Sequence, residues 1–154
     1  MGFTADLTFG KKYQEIAKKY VGEEITESPE GLFKAYDFKT ETAKYEVKAD
    51  RLAHRYGCRT MFIEYECSGK PSGIRTSDAD FWFYFMVKPS GEYKVYKIPL
   101  KILKDECTKG LRMVSGGDGG RVRGHIISVE KLQEYELEML LPDVPSEEKS
   151  CLVF

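Results

Sequence analysis

Asp37, Glu46 and Lys48 place two carboxylates and an ammonium on either side of one short polar turn. In Tyr36-Asp37-Phe38-Lys39-Thr40-Glu41-Thr42-Ala43-Lys44-Tyr45-Glu46-Val47-Lys48, a turn centred on Glu41-Thr42 pairs Thr40 with Ala43, Phe38 with Tyr45 and Asp37 with Glu46. Opposed residues of an antiparallel pair share a sheet face, with Cβ atoms roughly 5 Å apart. The period of two brings Lys48 to that face as well. Neighbouring carboxylates repel unless a cation lies between them, and an all-oxygen donor set suits a hard ion such as Mg2+ or Mn2+. The chemistry that fits is phosphodiester hydrolysis. Asp37, Glu46 and the Val47 carbonyl would hold the ion, which polarises a phosphate and lowers the pKa of a bound water. Lys48 would orient or deprotonate that water and offset developing negative charge. The competing reading is a solvated hairpin laced with alternating charges.

The surrounding elements decide between these readings. A helix is predicted over 8–20, with Phe9, Tyr13, Ile16, Ala17 and Tyr20 on one stripe and Glu15 roughly 140° away from its centre. Glu27-Ser28-Pro29-Glu30-Gly31 signals a turn before the hairpin of about 32–50. After a connector over 51–58, Thr60-Met61-Phe62-Ile63-Glu64-Tyr65-Glu66 reads as a strand. If Met61, Ile63 and Tyr65 pack with Tyr45 and Val47, Glu64 projects toward Glu46 and Lys48. There it would complete the ligand set, or hold Lys48 or a metal-bound water. The nearly unbroken apolar run Phe81–Val87 suits a strand buried on both faces, which makes the sheet central. Charges on a central sheet need a reason. A strand over 92–98, a short helix from Pro99 to about Thr108, a glycine-rich loop over 115–124, a brief strand at 125–127 and a final helix over 129–140 complete the order. The expectation is one mixed α/β (α+β) domain over 1–141 around one sheet, with a disordered polar tail over 142–154.

Lys70 and Arg75 fall in one breaker-rich loop, Arg121 and Arg123 in another, where they could grip nucleic-acid phosphates or simply be solvated. His54 and His125 have no partner at a diagnostic spacing and read as structural. The glycine run lacks the GxxxxGK[ST] pattern of a phosphate loop.

A hydrophobic fraction of 42% with 32% charged residues excludes both a disordered chain and a membrane protein. The net charge of −1 means that any nucleic-acid surface is local. Cys58, Cys67, Cys107 and Cys151 form no CxxC pair, which argues against zinc and a disulfide framework and for a reducing cytoplasm. No apolar run reaches the roughly 20 residues of a membrane span. Cys151-Leu152-Val153-Phe154 has the form of a prenylation box, but no polybasic segment precedes it.

Asp37 followed, after a hairpin-length gap, by Glu46-Val47-Lys48 resembles the PD-(D/E)XK (restriction-endonuclease-like) nuclease superfamily. Its small phage- and virus-type members are similar through Tyr45–Lys48, Phe62–Glu66, Gly69–Ile74 and Ala79–Trp82. The resemblance covers roughly 8–128 and implies an αβββ core with additional strands and helices. It implies a metal-dependent DNA endonuclease with Asp37 and Glu46 as ligands of Mg2+ or Mn2+ and Lys48 as catalytic lysine. Glu15 is the available glutamate for the helix-borne ligand that many members use. Tyr36 stands where the family has proline. DNA is the expected partner, with RNA open and a homodimer favoured if both strands are cut. The rival is a nuclease-fold module that binds DNA or protein without cutting.

Overall fold

The computed structural model of the chain describes residues 3–31, 34–109, 113–116 and 120–140. It is an α+β fold in three layers: a long helix, a five-stranded mixed sheet and a four-stranded antiparallel sheet. The expected tail over 142–154, with its terminal box, lies outside the described residues.

Helix α1 (Phe3–Val21) buries the predicted stripe, and Tyr13 and Ala17 are sealed against the first sheet. It ends at Gly22, whose φ of +67° closes the last turn through a hydrogen bond from its N–H to the Lys18 carbonyl. The first sheet runs β1 (Phe38–Lys39), β2 (Lys44–Asp50), β5 (Phe81–Val87), β6 (Tyr93–Pro99) and β9 (Glu136–Leu137). Within it, β2 and β5 are parallel and the other pairs antiparallel. As its composition predicts, β5 is covered on both faces. Phe83, Phe85 and Val87 meet α1, while Trp82, Tyr84 and Met86 meet the second sheet. Burying each of these large side chains stabilises the fold by about 1.5–3 kcal/mol.

The second sheet runs β4 (Lys70–Pro71), β3 (Thr60–Cys67), β8 (Val122–Ser128) and β7 (Met113–Gly116). One expectation is corrected here. The strand after the hairpin does not join the first sheet, and Met61 and Ile63 pack with Trp82 and Tyr84 rather than with Tyr45 and Val47. An apolar strand needs a layer on each side, and α1 covers only one. A 3-10 turn (Ala53–Tyr56) and the positive-φ pair Gly57 and Cys58 turn the chain out of the first sheet, so that β3 can supply the other cover.

Two further differences concern the C-terminal part. The expected loop over 115–124 is shortened by β7 and β8, whose pairing sets Ser115 against Arg123 and Gly116 against Val122. The expected final helix is a 3-10 segment (Val129–Tyr135) followed by β9, which pairs with β6. Helix α2 (Leu100–Cys107) closes the inter-sheet core with Leu100 and Leu103.

Candidate functional site

The hairpin forms in the predicted register, with Phe38 opposite Tyr45 and the Thr40 N–H bonded to the Ala43 carbonyl. At Asp37 the chain leaves the ladder. Its N–H still donates to the Tyr45 carbonyl at 2.8 Å, and its Oδ2 accepts the N–H of Val47 at 2.7 Å. The side chain thus continues the ladder where β1 stops. N–H and C=O of one strand residue point to the same edge. The Val47 carbonyl therefore faces the edge that Asp37 occupies, and no strand among the described residues pairs with β2 beyond Tyr45 on that side.

Asp37 is 4% exposed and ringed by donors. Gln14 Nε2 on α1 donates to Oδ1 at 3.2 Å, and Lys34 Nζ lies 2.9 Å from the same oxygen. The Glu46 carboxyl hydrogen-bonds to Asp37. Burial works to raise the Asp37 pKa, but the hydrogen bonds from Glu46, Val47 N–H and Lys34 outweigh it and hold the group below its usual value. Glu46 is pushed up to about 8, chiefly by burial, against the pull of the Lys48 charge and with the added weight of Asp37. The two carboxyls share one proton near neutral pH: Glu46 carries it and donates to the Asp37 carboxylate.

Parallel pairing sets Glu46 beside Trp82, Lys48 beside Tyr84 and Asp50 beside Met86. All three β2 side chains therefore face the second sheet. Lys48 Nζ sits 5.4 Å from the centre of the Trp82 ring and acts electrostatically on Glu46. Asp50, not singled out from the sequence, is fully engaged. Its Oδ1 accepts the N–H groups of Leu52 and Ala53, and its Oδ2 accepts the Tyr84 hydroxyl at 2.7 Å. That hydroxyl in turn receives the Phe62 N–H at 3.1 Å.

The other candidates separate. Glu64 lies on β3 in the second sheet. It alternates with Met61 and Ile63, which face the core, so it points to the opposite side with Phe62 rather than toward Glu46 and Lys48. Glu15 does not reach the carboxyl pair either: its side chain is 66% exposed and pairs with Lys18 at 3.1 Å. Its neighbour Gln14 makes the helix contribution instead. Gln14 flanks the apolar stripe, one turn before Ala17 and Lys18, where a polar side chain meets the sheet edge. Lys34 had no signal, because it precedes the first strand in an irregular segment.

Lys70, Arg121 and Arg123 gather at one end of the second sheet. Lys70 pairs with Cys67 across β4 and β3, the Arg121 carbonyl accepts the Ser68 N–H, and Arg123 forms an ion pair with Glu66 at 3.2 Å. Arg75 stacks over Tyr65 at 4.4 Å, and Tyr65 meets His125 edge-on. The segment after the 3-10 turn Gly73–Arg75 is tied back to the site, since the Asp78 N–H donates to the Ala35 carbonyl.

Among the described residues no group of three His, Cys, Asp or Glu side chains is clustered as a metal site. The oxygens available at the hairpin are those of Asp37 and Glu46, the Val47 carbonyl and the Gln14 amide. No family model and no curated protein matches the chain.

Proposed function

We propose that this protein is a divalent-metal-dependent nuclease that hydrolyses phosphodiester bonds in DNA, in the manner of the restriction-endonuclease-like superfamily its hairpin resembles. The observation that carries this reading is the Asp37–Glu46 pair: a buried carboxylate and a half-buried carboxyl sharing a proton at an open strand edge, with Lys48 beside them. A shared proton marks the place where a second positive charge is favoured, and oxygen donors suit Mg2+ or Mn2+. A bound ion would supply a Lewis acid for a phosphate oxygen and a water of lowered pKa.

The chain's own residues do the rest. Asp37 and Glu46 would hold the ion once Glu46 gives up its proton, with the Val47 carbonyl on the same edge. Gln14 fixes the Asp37 carboxylate from α1. The positive charge of Lys34 compensates the carboxylates while no ion is held. Lys48 Nζ, resting on the Trp82 face, is placed to hold a water proton or to neutralise charge on the phosphate.

Plasmid and oligonucleotide cleavage in Mg2+ tests the reading. Wild type nicks DNA, and Lys48→Ala loses activity by about two orders of magnitude or more while its circular dichroism is unchanged. Equal cleavage by Lys48→Ala removes the mechanism. No cleavage by wild type at any Mg2+ or Mn2+ concentration leaves a module that binds without cutting.

A further inference from the structure

The connection from β2 to β3 is basic. From Arg51 to Arg59 it holds three arginines and one histidine and no acid. Asp50 fixes its shape by accepting the Leu52 and Ala53 N–H groups, and the Tyr84 hydroxyl holds Asp50 in turn. The connection forms one wall of two adjoining clefts of about 320 and 570 Å3, which share His54, Lys88 and Pro89. Lys12 and Arg51 line the first and Lys94 the second, and among the described residues no aspartate or glutamate lines either. A cation-lined concavity concentrates a polyanion. The His54 Nδ1 is buried there without a hydrogen-bond partner among the described residues.

A second observation is independent of charge. Leu52 and Tyr56 are the most exposed large hydrophobic residues described, at 54% and 70%, and both belong to this connection. An exposed tyrosine beside arginines offers a face on which a base can stack. Duplex stacking hides base faces, so only an unpaired or terminal base can use it.

We propose that the β2–β3 connection is a nucleic-acid grip, with strand phosphates in the Lys12–Arg51–Lys88–Lys94 cleft and an unpaired base on Tyr56. The proposal rests on the nuclease reading, because it describes how that enzyme would hold its substrate strand. The backbone of Arg51, the residue that follows β2, lies roughly 16 Å beyond that of Glu46, at about 3.3 Å per residue. The unpaired edge of β2 runs between the two. That distance spans about five nucleotides of a stacked strand. The preferred substrate is therefore a strand with unpaired bases a few nucleotides from the scissile bond.

Fluorescence anisotropy in EDTA separates this grip from catalysis. The probes are a labelled oligodeoxythymidylate of about 15 nucleotides and a blunt duplex of equal length. Wild type binds the single strand about tenfold or more tighter than the duplex. Lys88→Glu with Lys94→Glu, both exposed, weakens single-strand binding by about tenfold or more and lowers the salt slope by about 1.4. Tyr56→Ala weakens it by about tenfold without changing duplex binding. Unchanged affinity in the charge-reversal variant overturns the cleft, even if wild type cuts DNA. Equal single-strand and duplex affinity, with Tyr56→Ala silent, overturns base stacking. Competition by polyglutamate as effective as the oligonucleotide at equal charge overturns the nucleic-acid assignment in favour of an acidic protein partner. Wild type that binds as described but never cuts upholds the grip and removes the nuclease reading.

Discussion

Glu46→Gln changes one oxygen to nitrogen and separates the proton that Glu46 carries from everything else it does. In the folded protein the Glu46 carboxyl titrates at about 8 instead of the usual 4.5. The folded state therefore binds more protons than the unfolded chain between those values, and stability falls as pH rises through that window. The contribution is fully present below about pH 4.5 and is lost by the time pH passes about 8. At about 1.4 kcal/mol per pH unit, the ceiling is about 5 kcal/mol. Glu46 is partly exposed at a strand edge, and water relaxation there lowers the observable fall to about 2–4 kcal/mol. Glutamine is neutral at every pH and keeps an N–H to donate to Asp37, so its profile over this window is flat from this site. Urea unfolding followed by circular dichroism at about pH 5.5 and about pH 8.5 measures the difference. These two pH values take in only about 2.5 of the roughly 3.5 pH units, so wild type loses about 1–3 kcal/mol between them and Glu46→Gln loses much less, and the variant is the more stable protein at the higher pH. Saturating Mg2+ at about pH 8.5 restores wild type by about 2–3 kcal/mol at a hundredfold excess over Kd and leaves Glu46→Gln unmoved. Parallel pH profiles for the two proteins refute the shared proton, and with it the observation on which the metal reading stands.

Two further outcomes follow from the same geometry. Gln14→Ala weakens Mn2+ binding by about tenfold in a calorimetric titration, because the Asp37 carboxylate loses its orienting donor, whereas Glu15→Ala leaves it unchanged. The reverse ranking would return the helix contribution to Glu15. Tyr84→Phe leaves Asp50 Oδ2 and the Phe62 N–H without their buried partner and lowers unfolding stability by about 1–3 kcal/mol. A change below about 0.5 kcal/mol in denaturant unfolding contradicts that role.

Local pattern carried the elements nearest the site. A two-residue periodicity across a short polar turn is enough to oppose Phe38 and Tyr45, and hence to bring Asp37 to Glu46, because a hairpin's register depends on neighbours in sequence. The apolar stripe of α1 and the unbroken run of β5 were legible for the same reason, and so was the solvent-facing position of Glu15. The β2–β3 connection was legible as a connector, but its neighbours across the clefts come from α1 and from the turn after β5.

Long-range competition settled what periodicity left open. Two faces of β5 needed cover, and the chain could use β3 as a fourth strand of the first sheet or as a layer above it. Burial of Trp82, Tyr84 and Met86 against Met61 and Ile63 selects the second arrangement, and that choice carries Glu64 away from the hairpin. Alternation says which residues share a face of one strand, yet it says nothing about which sheet the strand joins. Gln14 and Lys34 reach Asp37 from segments 23 and 3 residues away. The composition of the carboxyl pair could be read along the chain. Its shared proton, its helix-borne donor and its counter-charge exist only because burial brings those separate segments to one strand edge.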